Sequence, residues 1–153
     1  MSLRARINDS LKEAMKAGDK RRVSTLRLMN SAIKDKDILS RTEGHASALT
    51  ADAGLIDLFG KMVKQRQESV AVYEQGGRPE LAQAEREEIA IIQSYMPKQL
   101  SDDEAKAAVA AIIKAVGAAS VKDMGKVMAE LKAKYAGQMD MAKAGAMVKA
   151  LLG

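Results

Sequence analysis

The stretch Tyr95-Met96-Pro97-Lys98-Gln99-Leu100-Ser101-Asp102-Asp103-Glu104 decides how the chain is organised. Pro97 lacks an amide hydrogen and pushes Met96 away from helical backbone, so a helix arriving from the N-terminal side stops there. Ser101 followed three residues later by Glu104 is the capping-box pattern that opens a new helix. The residues between these signals have no helical periodicity. A boundary at Pro97 therefore divides the chain into residues 1–97 and 98–153.

Working outward, the periodicity on both sides is helical. Leu3, Ile7, Leu11 and Met15 recur every fourth residue between a cap, Ser2, and a stop, Gly18. Asp19 caps a second helix carrying Val23, Leu26, Met29 and Ile33, and the short Gly18-Asp19 joint predicts a tight hairpin or sharp elbow. From Leu39 to Thr50 the periodicity is lost and small polar residues gather, which predicts a mobile surface loop. A third helix, expected to be the longest, begins near Thr50 or Asp52, carries Leu55, Phe59, Met62 and Tyr73, and ends at Gly76-Gly77. A fourth runs from Pro79 through Leu81, Ile89, Ile92 and Tyr95.

Beyond the boundary, Ala105, Val109, Ile112 and Val116 mark a fifth helix that Gly117 closes. Ser120 is expected to cap a sixth, with Met124, Val127, Met128 and Leu131, and Asp140 a seventh, with Ala144, Met147 and Val148. Few windows show the alternation of a strand. The expected fold is all-α: an N-terminal bundle of about four helices over 1–97 and a small C-terminal three-helix domain over 98–153.

Composition narrows the chemistry. With 47% hydrophobic residues in 153, the chain can close a core. Zero cysteines exclude disulfides, thiolate nucleophiles and cysteine-based metal sites, and the single histidine, His45, has no second imidazole with which to hold a metal. No metal or cofactor is expected. Aromatic residues make up 3% and Trp is absent, so a nucleic acid would be held mainly by its phosphates rather than by stacked bases. No apolar run long enough for a leader or a membrane span is visible, and the expected compartment is the cytoplasm, with no membrane partner. The net charge of +5 is uneven: residues 1–41 hold 11 Lys/Arg against 5 Asp/Glu, whereas residues 42–100 hold 6 against 9.

At about 100° per residue, Arg66 falls in line with Leu55, Phe59, Met62 and Tyr73, and Glu85 and Glu88 fall in line with Leu81 and Ile92. Charges on apolar faces need partners, which predicts that Arg66 pairs with Glu85 or Glu88 across the hairpin. A polar pocket for acid and base work is one reading; a register-fixing ion pair is the simpler one. Lys20, Arg27 and Lys34, seven apart, form one row along the second helix, suited to a phosphate backbone or an acidic protein face, or simply a solvated flank. In the sixth helix Lys122 and Lys126 lie away from the apolar stripe. Gly125 is expected in the helix interior, where a closely packed neighbouring helix or an approaching nucleic-acid backbone would justify it. No glycine-rich phosphate loop and no positioned nucleophile is present, so no catalytic residue is assigned.

Several motifs occur together and in order: Ser24-Thr25-Leu26-Arg27; Lys64-Gln65-Arg66 with Ser69 and Tyr73; Gly77-Arg78; Glu85-Arg86-Glu87-Glu88-Ile89; Tyr95 to Ser101; and Asp123-Met124-Gly125-Lys126-Val127-Met128. In these the chain resembles the YqeY-like family, itself similar to the helical and tail region of the kinase-like component of the aspartyl/glutamyl-tRNA amidotransferase. The resemblance implies a two-part helical fold, a tail that contacts tRNA around Gly125-Lys126, and a family association with carbon–nitrogen ligase activity using glutamine as amido-N-donor. It covers only the appended parts of that enzyme, and no phosphate cradle, magnesium cluster or amidase Ser/Lys pair occurs in 153 residues. The expected function is a non-catalytic accessory that binds tRNA or another structured RNA. Lys122, Gly125, Lys126, Lys132 and Lys134 form its tail contact, and Lys20, Arg27 and Lys34 a second one. The alternative is a protein-interaction adaptor in which the basic N-terminal bundle docks an acidic partner.

Overall fold

A computed structural model describes residues 2–43 and 52–153. Among them are seven α-helices and no strand: α1 (Leu3–Ala17), α2 (Lys20–Glu43), α3 (Asp52–Gln75), α4 (Pro79–Gln93), α5 (Asp102–Val116), α6 (Met124–Tyr135) and α7 (Met141–Leu152). A 3-10 turn, Val121–Asp123, precedes α6. The chain divides into two compact units, Met1–Pro97 and Lys98–Gly153.

In the first unit, the Ser2 hydroxyl accepts the Ala5 N–H at 3.2 Å and Gly18, at φ +70°, closes α1. The Asp19 carboxylate then accepts the Arg22 N–H at the start of α2. The two helices run antiparallel, tied by Asn30 to Asn8 at 3.2 Å and by a two-pronged Arg4–Asp37 pair at 2.8 and 3.0 Å. The Leu3 N–H donates to Asp52, joining the start of α1 to the start of α3. At the α3–α4 turn Gly77 takes φ +70°, which a side chain would resist, and the Arg78 N–H reaches back to the Tyr73 carbonyl at 2.8 Å. Ile7, Leu26, Met29, Leu55, Phe59 and Ile92 are wholly buried between the four helices. Their side chains supply most of the stabilisation of this unit, at about 1.5–3 kcal/mol each.

Three expectations for this unit need correction. Met15 is 53% exposed and Ala14 is buried in its place. A four-residue step turns about 400°, so the row from Leu3 has drifted about 120° off the core by Met15, while Ala14 returns to within about 20° of Leu3. The loop expected from Leu39 does not begin there, because α2 continues to Glu43. The Ser40 hydroxyl donates to the Asp37 carbonyl at 2.8 Å and the Thr42 hydroxyl to the Ile38 carbonyl at 3.0 Å, so these small polar residues bond to their own helix. The remainder of that stretch, residues 44–50, lies outside the described residues. The third helix is not the longest on its own, since α2 and α3 each have 24 residues.

In the second unit the capping box is complete: Ser101 Oγ accepts the Glu104 N–H at 3.2 Å and Glu104 Oε1 accepts the Ser101 N–H at 3.1 Å. Val109, Ile112, Val127, Leu131, Ala144 and Val148 form its core, with Met124, Met128, Met141 and Met147 half-buried around it. The Leu100 N–H donates to the Gln138 carbonyl at 2.8 Å, fastening the leading segment to the α6–α7 turn. Asp140 caps α7 by accepting the Ala142 N–H at 2.9 Å. Ser120 does not cap a helix. Its hydroxyl makes no capping bond; instead the Asp123 carboxylate accepts the Ala119 N–H at 2.9 Å, the 3-10 turn forms, and α6 begins only at Met124.

Candidate functional site

Arg66, on the inward side of α3, donates through Nε to Glu88 Oε2 at 2.9 Å and through Nη1 to the Met62 carbonyl at 3.2 Å. Both charged side chains are largely covered, at 13% and 16% exposure. From α2, Arg21 approaches the same carboxylate at 3.9 Å while pairing with Glu87 at 3.2 Å. Three helices thus meet through alternating charges. Glu85 sits beside them without an ion pair of its own among the described residues. Burial pushes its carboxyl above the ordinary value, the charge on Glu88 adds to the rise, and Arg66 and Arg21 oppose it. At the far end of the hairpin Arg86 pairs with Glu74. A network of this kind fixes helix register. It aims no nucleophile at an open cleft, and no group of three or more His, Asp or Glu among the described residues is placed to hold a metal ion.

Lys20, Arg27 and Lys34 are all exposed and occupy one line on α2. No ion pair forms with any of them among the described residues, in contrast with Arg21 on the same helix. In the second unit Lys122, Gly125, Lys126, Lys132 and Lys134 are exposed as well. They do not share one face. Gly125 and Lys132 lie about 20° apart around α6, whereas Lys126 and Lys134 lie on the other side, about 120° and 160° from Lys132, and Lys122 stands in the preceding turn. Asp123 beside them has its carboxyl held low by the Ala119 N–H.

Gly125 is the second residue of α6, not an interior one, because the helix starts later than Ser120 would have placed it. A side chain there would meet nothing within 4 Å, so the expected closely packed neighbouring helix is absent. His45 lies outside the described residues. Sequence reasoning missed the outward apolar residues of α2, Leu28, Ile38 and Leu39, which are 46%, 61% and 50% exposed. The available signal is that all three fall out of register with Leu26, Met29 and Ile33.

The family model described as Yqey-like protein matches residues 4–152. The chain belongs to the YqeY-like family. Its relatives include the altered inheritance of mitochondria protein 41, mitochondrial, of Eremothecium gossypii, 36% identical over 92 residues, which make up 60% of this chain and 48% of the relative. The same-named protein of Kluyveromyces lactis is 33% identical over 91 residues (60% and 46%), and that of Saccharomyces cerevisiae strain YJM789 is 31% identical over 90 residues (59% and 46%). The chain spans about half the length of these curated relatives.

Most of the YqeY-like motifs serve the architecture. Thr25 and Leu26 are buried, Arg66 and Glu88 pair, and Gly77-Arg78 make the turn. Tyr95 is buried with the Arg6 guanidinium 5.4 Å from its ring centre. Gln65, Ser69 and Tyr73 differ: with Glu68 and Val72 they line an open depression of about 260 Å³ along α3. Among the described residues no helix is long and apolar enough to cross a membrane.

Proposed function

We propose that this YqeY-like protein is a non-catalytic accessory that binds tRNA or another structured RNA through its C-terminal unit in the cytoplasm. The observation that carries the reading is the exposed lysine set Lys122, Lys126, Lys132 and Lys134 around an open Gly125, in the stretch that resembles an amidotransferase tail. Lysines on several sides of one short helix suit a folded RNA, which presents phosphates from more than one strand. On this reading the chain supplies no catalytic group. The carbon–nitrogen ligase association of the family then belongs to a complete enzyme with its own active sites.

The test is binding to bulk tRNA across a salt series with duplex DNA as competitor. Preference for tRNA is expected, and Lys122→Glu with Lys126→Glu should weaken it and flatten the salt dependence by about two phosphate contacts. Equal competition by DNA, or indifference to the charge reversals, overturns the reading.

A second reading, of a different class, applies to the first unit. Leu28, Ile38 and Leu39 stand exposed beside the row Lys20, Arg27 and Lys34. Phosphates call for the cations only, whereas an acidic protein face calls for both. This favours an adaptor role for the N-terminal bundle.

A further inference from the structure

We infer that the outward face of α2 is a docking surface for one acidic amphipathic helix of a partner protein; the inference rests on the adaptor reading and gives it an occupant and a register. Around α2, at about 100° per residue, the cations Lys20, Arg27 and Lys34 make one line, and Leu28 and Leu39 lie roughly 100° further round. Between the two lie the small exposed side chains Ser24 and Ser31. A shallow floor flanked by charge on one side and apolar groups on the other is shaped for a helix lying along α2, not for a point contact.

The spacing agrees. The cations recur every seven residues over about 21 Å of helix, and so do Ser24, Ser31 and Ile38. Seven-residue recurrence is the spacing at which a second helix, crossing at a small angle, stays in contact along its length. The partner's acidic side chains would follow the cation line and its apolar side chains would cover Leu28 and Leu39.

Charge decides between occupants. Residues 1–41 hold 11 Lys/Arg against 5 Asp/Glu, so a second copy of the same face is repelled. Asp35, exposed between Leu28 and Leu39, faces outward among the apolar groups. A phosphate backbone would be repelled there and would leave both leucines in water. A protein helix satisfies Asp35 with one basic or amide side chain, and that position sets the register.

The experiment uses the full chain and a labelled synthetic helix of about twenty residues, with Leu at the inward positions, Glu beside them and a single Lys opposite Asp35. The control peptide carries Lys in place of the Glu residues, and bulk tRNA is the third probe. Saturable binding of the acidic peptide and none of the control is expected. Leu28→Ser with Leu39→Ser, and separately Arg27→Glu, should each weaken it by about tenfold, while Lys122→Glu with Lys126→Glu leaves it unchanged. The inference is overturned if the acidic peptide binds no better than the control. It also falls if Arg27→Glu reduces tRNA binding and the leucine changes alter nothing, because the row is then a phosphate contact. Loss of tRNA binding on the Lys122 and Lys126 changes bears only on the RNA reading, so the two can fail separately.

Discussion

Arg66 and Glu88, 22 residues apart, meet at 2.9 Å with both side chains largely removed from water. The cost of desolvating each charge is met by the other, by the Met62 carbonyl and by Arg21 at the rim. Removing one partner leaves the other uncompensated. Arg66→Met or Glu88→Gln alone should lower unfolding stability in urea by about 2 kcal/mol, and the double substitution should cost less than the two single losses added together. Strict additivity of the two losses would show that the pair contributes nothing as a pair.

Glu85 gives the pH dependence its sign. Its folded carboxyl lies above the ordinary value of 4.5 because burial and Glu88 disfavour the charge. In the interval between that value and the folded one the native state holds the proton more tightly than the unfolded chain does, so ionising Glu85 costs stability as pH rises. Glu85→Gln should therefore raise the urea midpoint at pH 7 relative to the parent. The advantage should shrink as pH falls to about 4, where the parent carboxyl is protonated. A difference that stays constant from pH 7 to pH 4 contradicts this account.

Asp37 works in the opposite direction. The two hydrogen bonds from Arg4 hold its carboxyl below 3.8, so its contribution is present above that value and is lost as pH falls through the folded value. Arg4 is 38% exposed, so solvent screening limits the pair to about 1 kcal/mol or less. Asp37→Asn should lower the melting temperature at pH 7 by a few degrees, and acidifying towards pH 2 should bring parent and variant together.

The two serines near the ends of α5 should respond differently. Ser101→Ala removes an observed cap and should destabilise by about 1 kcal/mol, whereas Ser120→Ala should change stability by only a few tenths, because the Ser120 hydroxyl makes no capping bond. Thermal melts of the full chain carrying each change decide the point. An equal loss at both positions would mean that Ser120 caps after all.

That contrast shows how much of the fold the sequence carries. Ser101 and Glu104, Gly18, and Asp140 are legible because their signals act over three or four residues and nothing distant competes. Ser120 looks equally good, but Asp123 offers a carboxylate to the Ala119 N–H and shifts the helix start by several residues. The accumulated drift of a four-residue step misplaces Met15. Composition alone makes Ser40 and Thr42 loop residues, because it cannot see that their hydroxyls bond back to the helix. In the candidate site the residue types and helix faces are readable, but their arrangement is not. The late start of α6 places Gly125 in the first turn and separates Lys132 from Lys126, and three outward apolar residues on α2 give the cation row its neighbours.

Gly125 therefore offers a way to separate stability from function. It has ordinary helical backbone and open space where a side chain would go, so Gly125→Ala should stabilise the protein by roughly 0.5–1 kcal/mol through the entropy of the unfolded chain. If an RNA backbone packs directly on this turn, the added methyl group holds it off, and tRNA affinity should fall severalfold while the melting temperature rises. Opposite movement of the two readouts cannot come from misfolding. A stabilised variant with unchanged tRNA binding would place the RNA contact on the surrounding lysines and remove Gly125 from it.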